Sequence, residues 1–339
     1  MEISKNVSLR PYNTFGVEAM AEELLSVSST EQALEAASYL SRHRRELLVL
    51  GGGSNVLFRA NPRGTVLVNR ILGVEVVNAT DEAVWLRVGA GEVWHDFVEH
   101  CIDRELAGIE NLALIPGRVG ASPMQNIGAY GVEIESVFDS LEAVHLPTGE
   151  VHRFDRRDCR FGYRESVFKS VFKGQYLITH VTYRLSREPN FNTAYGAIGT
   201  ELERMGVNTL SLRAVADAVI SIRRSKLPDP AVLGNAGSFF KNPVVSAEVY
   251  AAVKALRPDV VAYPAGDGAM KLAAGWLIEQ AGWKGHRVGA CGVHDRQALV
   301  LVNHGHATGD EIYALSSAIV DDVKTKFGVE LEREVNIIG

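Results

Sequence analysis

Three short stretches bring together residue types that can do chemistry. Arg160-Phe-Gly-Tyr163-Arg164-Glu-Ser166 lies between two strand-like runs and is rich in donors. The guanidinium of Arg164 can clamp a carboxylate or phosphate through two parallel hydrogen bonds, which a lysine does not reproduce. An arginine alone in sequence serves equally well as half of a surface ion pair. In Gly234-Asn-Ala-Gly237-Ser238-Phe-Phe-Lys-Asn242-Pro, Ser238 sits between a flexible turn and two bulky aromatics. A hydroxyl held in a dry pocket there can donate a proton. The Gly-x-Ser-x-Gly elbow of a serine hydrolase is missing, and nothing nearby supplies a base. Glu334 has apolar neighbours Leu331 and Val335. Burial would favour its neutral form and make it a candidate acid, whereas exposure would leave an ordinary carboxylate.

Two glycine-rich stretches supply a different kind of chemistry. Ile115 to Glu133, IPGRVGASPMQNIGAYGVE, holds four glycines and two prolines with no apolar periodicity. Glycines let a ligand approach the main chain closely, and prolines stiffen the turns between them. A loop this long is either a binding loop or an Ω-loop packed on itself. Gly51-Gly-Gly53-Ser-Asn55 follows the apolar run Leu47 to Leu50 and precedes Val56 to Phe58, so strand, glycine turn, strand is the simplest reading. Such a run either presents backbone N–H groups to a phosphate or makes a tight turn. It is neither a Walker loop nor a Rossmann fingerprint, because the required spacings are absent.

Elements must hold these stretches in place. Ser29-Thr-Glu-Gln32 fits a capping box ahead of a helix with Ala33, Ala36, Ala37 and Leu40 on one face and a basic end at Arg42 to Arg45. Val66, Val68, Val74, Val76, Val84, Leu86 and Val88 alternate as half-buried strands do. Trp94 to Arg104 reads as a short helix, and Leu141–Leu146 and Val151–Phe154 flank a Pro147-Thr-Gly149 turn as a hairpin. Tyr176 to Leu185 is a further strand. Beyond Asn190 the chain turns helical: Leu212 to Lys226 stopped by Pro228 and Pro230, then Val249 to Leu256, then Leu272 to Gln280. Gln297 to Asn303 reads as a buried strand, Thr308-Gly-Asp-Glu311 caps a last helix, and the alternating tail Val329 to Val335 predicts a closing strand.

Composition limits the partners. The 339 residues are 46% apolar and 22% charged, with a formal charge of −6, which offers no footprint for nucleic acid. An anionic ligand must be met by local lysines and arginines. No apolar run reaches the ~18 residues of a membrane span, and no signal-peptide core opens the chain, so the cytoplasm is the expected location. Cys101, Cys159 and Cys291 are odd in number and far apart, as reduced thiols are. Cys291, His294, His304 and His306 lack a second ligand pair at metal spacing, and no metal is expected.

The runs NTFG, GGGSNVLF, VGAGE, PGRVGASPMQNIGAYGVE, CRFGYRES, KLPDP, GNAGSFFKNP, KLAAGWLIEQAG and LEREV occur in consistent order from Asn13 almost to the C-terminus. Together they resemble the UDP-N-acetylenolpyruvoylglucosamine reductase family, flavoenzymes of bacterial cell-wall precursor synthesis. Tyr195 followed by Gly196 is similar to the type I subgroup, which carries a tyrosine loop. The resemblance implies an α+β fold: an FAD-binding region of the vanillyl-alcohol-oxidase or PCMH type, in two α+β subdomains, over residues 1–190, a connecting insert and helix over 191–225, an α/β substrate-binding domain over 226–328, and a C-terminal strand closing on the active site over 329–339.

The resemblance also implies roles. FAD would be held by Gly51, Gly52, Gly53, Ser54, Asn55, Ile115, Pro116, Gly117, Gly120, Ser122, Gln125, Asn126, Gly128 and Tyr130. NADPH would reduce the flavin, which would pass a hydride to the terminal carbon of the enolpyruvyl ether. Arg164 and Glu334 would stabilise the enolate-like charge, and Ser238 would protonate the neighbouring carbon. Tyr163, Tyr195, Lys226, Asn242, Tyr263, Lys271 and Gln297 would contact the substrate. The sequence departs from the family pattern at Arg118, often a small residue, and Arg333, commonly a proline. A monomer is expected. An oxygen-using flavoprotein of the same fold would share the FAD loops without the Ser238, Arg164 and Glu334 set, and a non-catalytic nucleotide-binding module would be colourless.

Overall fold

The computed structural model describes residues 1–43, 45–195 and 197–339. Arg44, in the expected basic helix end, and Gly196, beside Tyr195, lie outside the described residues. Two units share the chain, one made of Met1–Val7, Ala21–Gly52 and Arg63–Ser225, the other of Ser8–Met20, Gly53–Pro62 and Lys226–Gly339. Residues 8–20 and 53–62, counted above with a single region 1–190, thus belong to the second unit.

In the first unit, a four-stranded sheet runs in the order Glu2–Ser8, Met20–Val27, Thr65–Asn69, Leu47–Leu50, with the last three mutually parallel. The helix Thr30–His43 turns Ala33, Ala36, Ala37 and Leu40 into a core with Leu25, Val27 and Leu67. Its cap differs by one residue from the expected box. Ser29 Oγ accepts from the Gln32 N–H at 3.3 Å, but the Gln32 carboxamide oxygen accepts from the Ser28 N–H at 3.0 Å. Thr65–Asn69 is buried at every residue rather than at alternate ones. A central parallel strand is covered on both faces, which erases the alternation expected for a half-buried strand.

A five-stranded antiparallel sheet follows, in the order Glu150–Asp155, Phe138–His145, Tyr176–Ser186, Ala83–Gly89, Val74–Ala79. The hairpin anticipated at Pro147-Thr-Gly149 is its outer pair. Val74–Ala79 is an edge strand and largely exposed. Leu86, Val88, Leu141, Val181 and Tyr183 form a core with Trp94 and Phe97 of the helix Trp94–Ile102. Between those apolar positions stands a charged group: Arg87 donates to Glu142 at 2.9 and 2.7 Å and, from Nη2, to His180 Nδ1 at 3.0 Å. The short helix Ile198–Arg204 had no counterpart in the sequence reading.

The second unit is built on a sheet in the order Gly234–Ser238, Val300–Asn303, Cys291–Val293, Arg287–Val288. Ile312, Leu315, Ile319 and Val323 of the helix Gly309–Phe327 are buried in its core. The expected capping box forms, with Thr308 Oγ1 accepting from the Glu311 N–H at 3.2 Å and Glu311 Oε2 accepting from the Thr308 N–H at 2.7 Å. Gly309 has no room for a side chain, since a Cβ would stand 1.7 Å from the Phe58 carbonyl oxygen. The third predicted helix is shorter, Ala274–Gln280, because Met270–Leu272 is a strand. The closing strand is Asn336–Ile338, parallel to Val56–Phe58, and not Val329 to Val335. Strand, glycine turn, strand is present as expected, with Leu47–Leu50 and Val56–Phe58 in different sheets.

Among the described residues, no helix is long and apolar enough to cross a membrane, and no three His, Cys, Asp or Glu residues cluster as a metal site. The three cysteines are buried and free of disulfides.

The charged group gives the first unit a pH dependence. Burial, then the Arg87 guanidinium, holds His180 below its ordinary range, and the hydrogen bond from Arg87 draws Glu142 down. As the pH falls through about 6.5, the unfolded chain takes up a proton at this histidine before the folded chain does, so stability is lost on acidification. His180→Asn should therefore flatten the fall in Tm between about pH 7 and 5, as measured by thermal melts across that range.

Candidate functional site

The long glycine loop is tied down at its start. Trp94 Nε1 donates to the Leu112 carbonyl at 2.9 Å, and the Trp94 N–H donates to the Gly117 carbonyl at 3.1 Å. Val119 and Gly120 donate to Glu92 and Ala90, each at 2.9 Å. A Cβ on Gly120 would fall 2.6 Å from that of Ala90, so this glycine serves close packing. A Cβ on Gly52 would lie 3.3 Å from Gly117 Cα, which places the two glycine segments of the first unit backbone against backbone. Among the described residues, the N–H groups of Gly51, Gly52, Gly117 and Arg118 donate to no protein group. Four such donors along two side-chain-free segments can receive anionic oxygens. A pyrophosphate-bearing cofactor such as FAD fits these residues.

The second half of the loop is mostly scaffold. Ser122, 1% exposed, bonds the buried Tyr183 hydroxyl at 2.6 Å, so its side chain is already committed. Asn126 is fully buried in the left-handed region, φ +44°. It donates to Glu133 Oε2 at 2.8 Å and accepts from the Glu135 N–H at 3.1 Å, closing the small hairpin Gly128–Ala129 with Val132–Glu133. Arg164, also left-handed at φ +56°, donates from Nη2 to the Gly128 carbonyl at 2.6 Å, and its guanidinium lies 5.3 Å from the Tyr163 ring centroid. The arginine is thus bound to the glycine loop, with Ile115, Pro116 and Gln125 on the same segment. Tyr195 is 53% exposed and reaches the hairpin tip, where a Cβ on Gly131 would stand 3.1 Å from its own.

Two residues that the sequence reading passed over support this loop. Burial raises the Tyr130 phenol, which is hydrogen-bonded to Arg223, and burial lowers the Arg223 guanidinium. Arg223 Nε also donates to the Leu114 carbonyl at 3.2 Å. Asn111 Nδ2 donates to the Tyr130 carbonyl at 3.0 Å and to that of Asn192 at 2.8 Å. No local pattern marked Arg223 or Asn111.

In the second unit, Ser238 ends the strand Gly234–Ser238 opposite Val300 and is half-buried. The preceding Gly237 is left-handed, φ +70°, and donates to Asn235 Oδ1 at 3.0 Å. Phe239 and Phe240 are 0% and 1% exposed, which anchors the exit from the strand. The tail runs antiparallel to this exit: Lys241 N–H donates to the Glu332 carbonyl at 2.9 Å, and Glu334 N–H to the Phe239 carbonyl at 2.8 Å. Glu334 is half-buried. Its carbonyl accepts from Asn55 Nδ2 at 3.4 Å, while the Asn55 carbonyl accepts from Asn336 Nδ2 at 2.9 Å. Asn55 thus meets the tail, and Ser238 and Glu334 lie within one residue pair of each other.

Tyr263 and Lys271 are cross-strand partners in a three-stranded sheet that also pairs Lys271 with Val244, just past Asn242. Asn242 Oδ1 accepts from the Ala274 N–H at 2.9 Å, and Gln297 Oε1 would stand 3.1 Å from a Cβ on Gly275. Asn242, Tyr263, Lys271 and Gln297 therefore gather round the start of the helix Ala274–Gln280. Lys226, exposed, is the last residue of the helix Leu212–Lys226.

Residues 21–155 match the FAD binding domain model, and residues 229–338 match the model for the UDP-N-acetylenolpyruvoylglucosamine reductase C-terminal domain. A reductase of that name from Pseudomonas syringae pv. tomato is 50% identical over 99% of both chains. One from Amoebophilus asiaticus is 48% identical over the whole of both. The chain belongs to the UDP-N-acetylenolpyruvoylglucosamine reductase family. It is a flavin-dependent oxidoreductase with an FAD-binding domain and the reductase family's C-terminal domain. The crystal structure of the Thermus caldophilus reductase, 23% identical over the whole of both chains, shares the fold with a TM-score of 0.69.

The Ser122–Tyr183 bond beneath the glycine loop should be separable from any ligand effect. Ser122→Ala leaves a buried hydroxyl without its partner and should cost about 1–3 kcal/mol in denaturant unfolding. Combining it with Tyr183→Phe should cost less than the sum of the two single changes.

Proposed function

We propose that this enzyme reduces UDP-N-acetylglucosamine enolpyruvate to UDP-N-acetylmuramate with NADPH, in the cytoplasm and as a monomer, supplying a peptidoglycan precursor for cell-wall growth and division. The observation that carries the reading is the placement of Ser238 at a strand end with Glu334 bonded beside it, in a chain similar to such reductases along its whole length.

Bound FAD would supply the hydride chemistry between NADPH and the terminal enolpyruvyl carbon. Gly51, Gly52 and Gly117 would receive its pyrophosphate through N–H groups, and Gly53 to Asn55 and the remaining loop residues from Ile115 to Tyr130 would shape the rest of the site. Hydride addition to the enolpyruvyl group builds enolate-like charge next to its carboxylate. Arg164 stabilises that charge as a fixed cation, and Glu334 does so best as a protonated acid. Ser238 then gives its proton to the neighbouring carbon. A hydroxyl is a weak acid, so this step works only toward a strongly basic carbon in a water-poor site. Lys226, Lys271, Asn242, Tyr263, Gln297, Tyr195 and Tyr163 meet the nucleotide and sugar, supplying the local cations and donors that a chain of net charge −6 needs for an anionic substrate.

Ser238→Ala should leave flavin reduction by NADPH intact and abolish product formation, with Ser238→Cys retaining part of it. Stopped-flow absorbance for the first half and product chromatography for the second test this, and loss of both halves in Ser238→Ala would overturn the assignment. Gly52→Ala should purify folded but with less flavin per chain, because the added methyl group stands between the two glycine segments. The flavin-to-protein absorbance ratio measures it.

A further inference from the structure

Arg333 precedes the proposed acid Glu334, and its backbone contributes nothing to the ladder that holds the tail. The Phe240–Arg333 pair is of the wide antiparallel type, in which the bonds are made by the flanking residues, here 239 with 334 and 241 with 332. What holds residue 333 is its side chain. Arg333 Nε donates to Ser316 Oγ at 2.8 Å and Nη2 to Ser317 Oγ at 2.7 Å. Both hydroxyls in turn donate to the Tyr313 carbonyl, at 2.7 and 3.1 Å. The guanidinium lies 4.5 Å from the Tyr313 ring centroid. The same ring carries Arg59 at 4.1 Å, and Arg59 bonds Asp310 at 2.7 Å through Nε and the Ile338 carbonyl at 2.8 Å through its N–H. Residues on the first turns of the helix Gly309–Phe327 thus grip the tail on both sides of Glu334. Two adjacent hydroxyls matched to a planar fork form a geometry that a lysine cannot copy.

We infer that Arg333 is a positioning residue, which fixes the Glu334 carboxyl for the enolpyruvyl half-reaction by locking residues 332–334 onto the helix Gly309–Phe327. The inference rests on the reading of Glu334 given above. Misplacement of a reacting group by about an ångström costs on the order of a hundredfold in rate, so loss of the grip should be visible in that half-reaction alone.

The test uses the flavin-loaded full chain, reduced anaerobically with dithionite and mixed with UDP-N-acetylglucosamine enolpyruvate. Arg333→Ala should slow flavin reoxidation on the order of tenfold or more, with flavin reduction by NADPH unchanged. Ser316→Ala/Ser317→Ala, which keeps the charge and removes only the acceptors, should slow it in the same direction and serves if Arg333→Ala folds poorly. In a Glu334→Gln background, Arg333→Ala should add nothing, because it acts through that carboxyl. Reoxidation at the wild-type rate in Arg333→Ala, or equal slowing with and without Glu334→Gln, would overturn the inference. If Glu334→Gln alone reoxidises normally, the role of Glu334 fails first and this one with it.

Discussion

Two backbone hydrogen bonds, from Glu334 to Phe239 and from Lys241 to Glu332, tie the end of the chain to the residues that leave Ser238. They set Glu334 within one residue pair of Ser238, from distant parts of the sequence. Each side of this junction is stiff for its own reason. On one, Phe239 and Phe240 are fully packed, and truncating either should cost about 3–5 kcal/mol. On the other, the helix Gly309–Phe327 holds Arg333 and Arg59 through Ser316, Ser317, Tyr313 and Asp310. In the role proposed for Ser238, a donor as weak as serine is useful only where its position is set by its surroundings, and rigid packing on both sides would supply that.

The first unit meets a different constraint, the absence of side chains. Gly52 and Gly117 approach so closely that a methyl on the former would touch the backbone of the latter, and the N–H groups around them have no protein acceptor among the described residues. Such groups tolerate partial burial when an anionic ligand or solvent reaches them. The rest of the loop secures this arrangement from behind: Ser122 on Tyr183, Asn126 on Glu133, Tyr130 on Arg223, and Arg164 on Gly128. Several of these residues resembled ligand contacts in sequence, and their side chains are bound to the protein itself.

What could be read from the sequence was local. The hairpin at Pro147-Thr-Gly149, the Thr308–Glu311 capping box and the helix Leu212–Lys226 each carry their signal within a few residues, and all are present. Ser238 and Arg164 could be singled out as candidates because glycine turns and aromatics flank them. The closing strand lies within the expected 329–339 but after the alternating residues, because a two-bond bridge holds Leu331 to Val335, and a bridge needs no strand periodicity, whereas the strand itself takes its partner from Val56–Phe58. Asn55 and Asn336 are 281 residues apart, and no local pattern joins them. Thr65–Asn69 hid its place because a strand covered on both faces has no polar alternation.

The most direct test of the central claim is an anaerobic absorbance measurement. The purified protein is reduced with stoichiometric NADPH and then mixed with UDP-N-acetylglucosamine enolpyruvate under argon. The account predicts bleaching of the flavin by the first reagent and rapid return of the oxidised spectrum with the second, in the absence of oxygen. A flavin that stays reduced until air is admitted would contradict it and point to an oxygen-using flavoenzyme on the same fold.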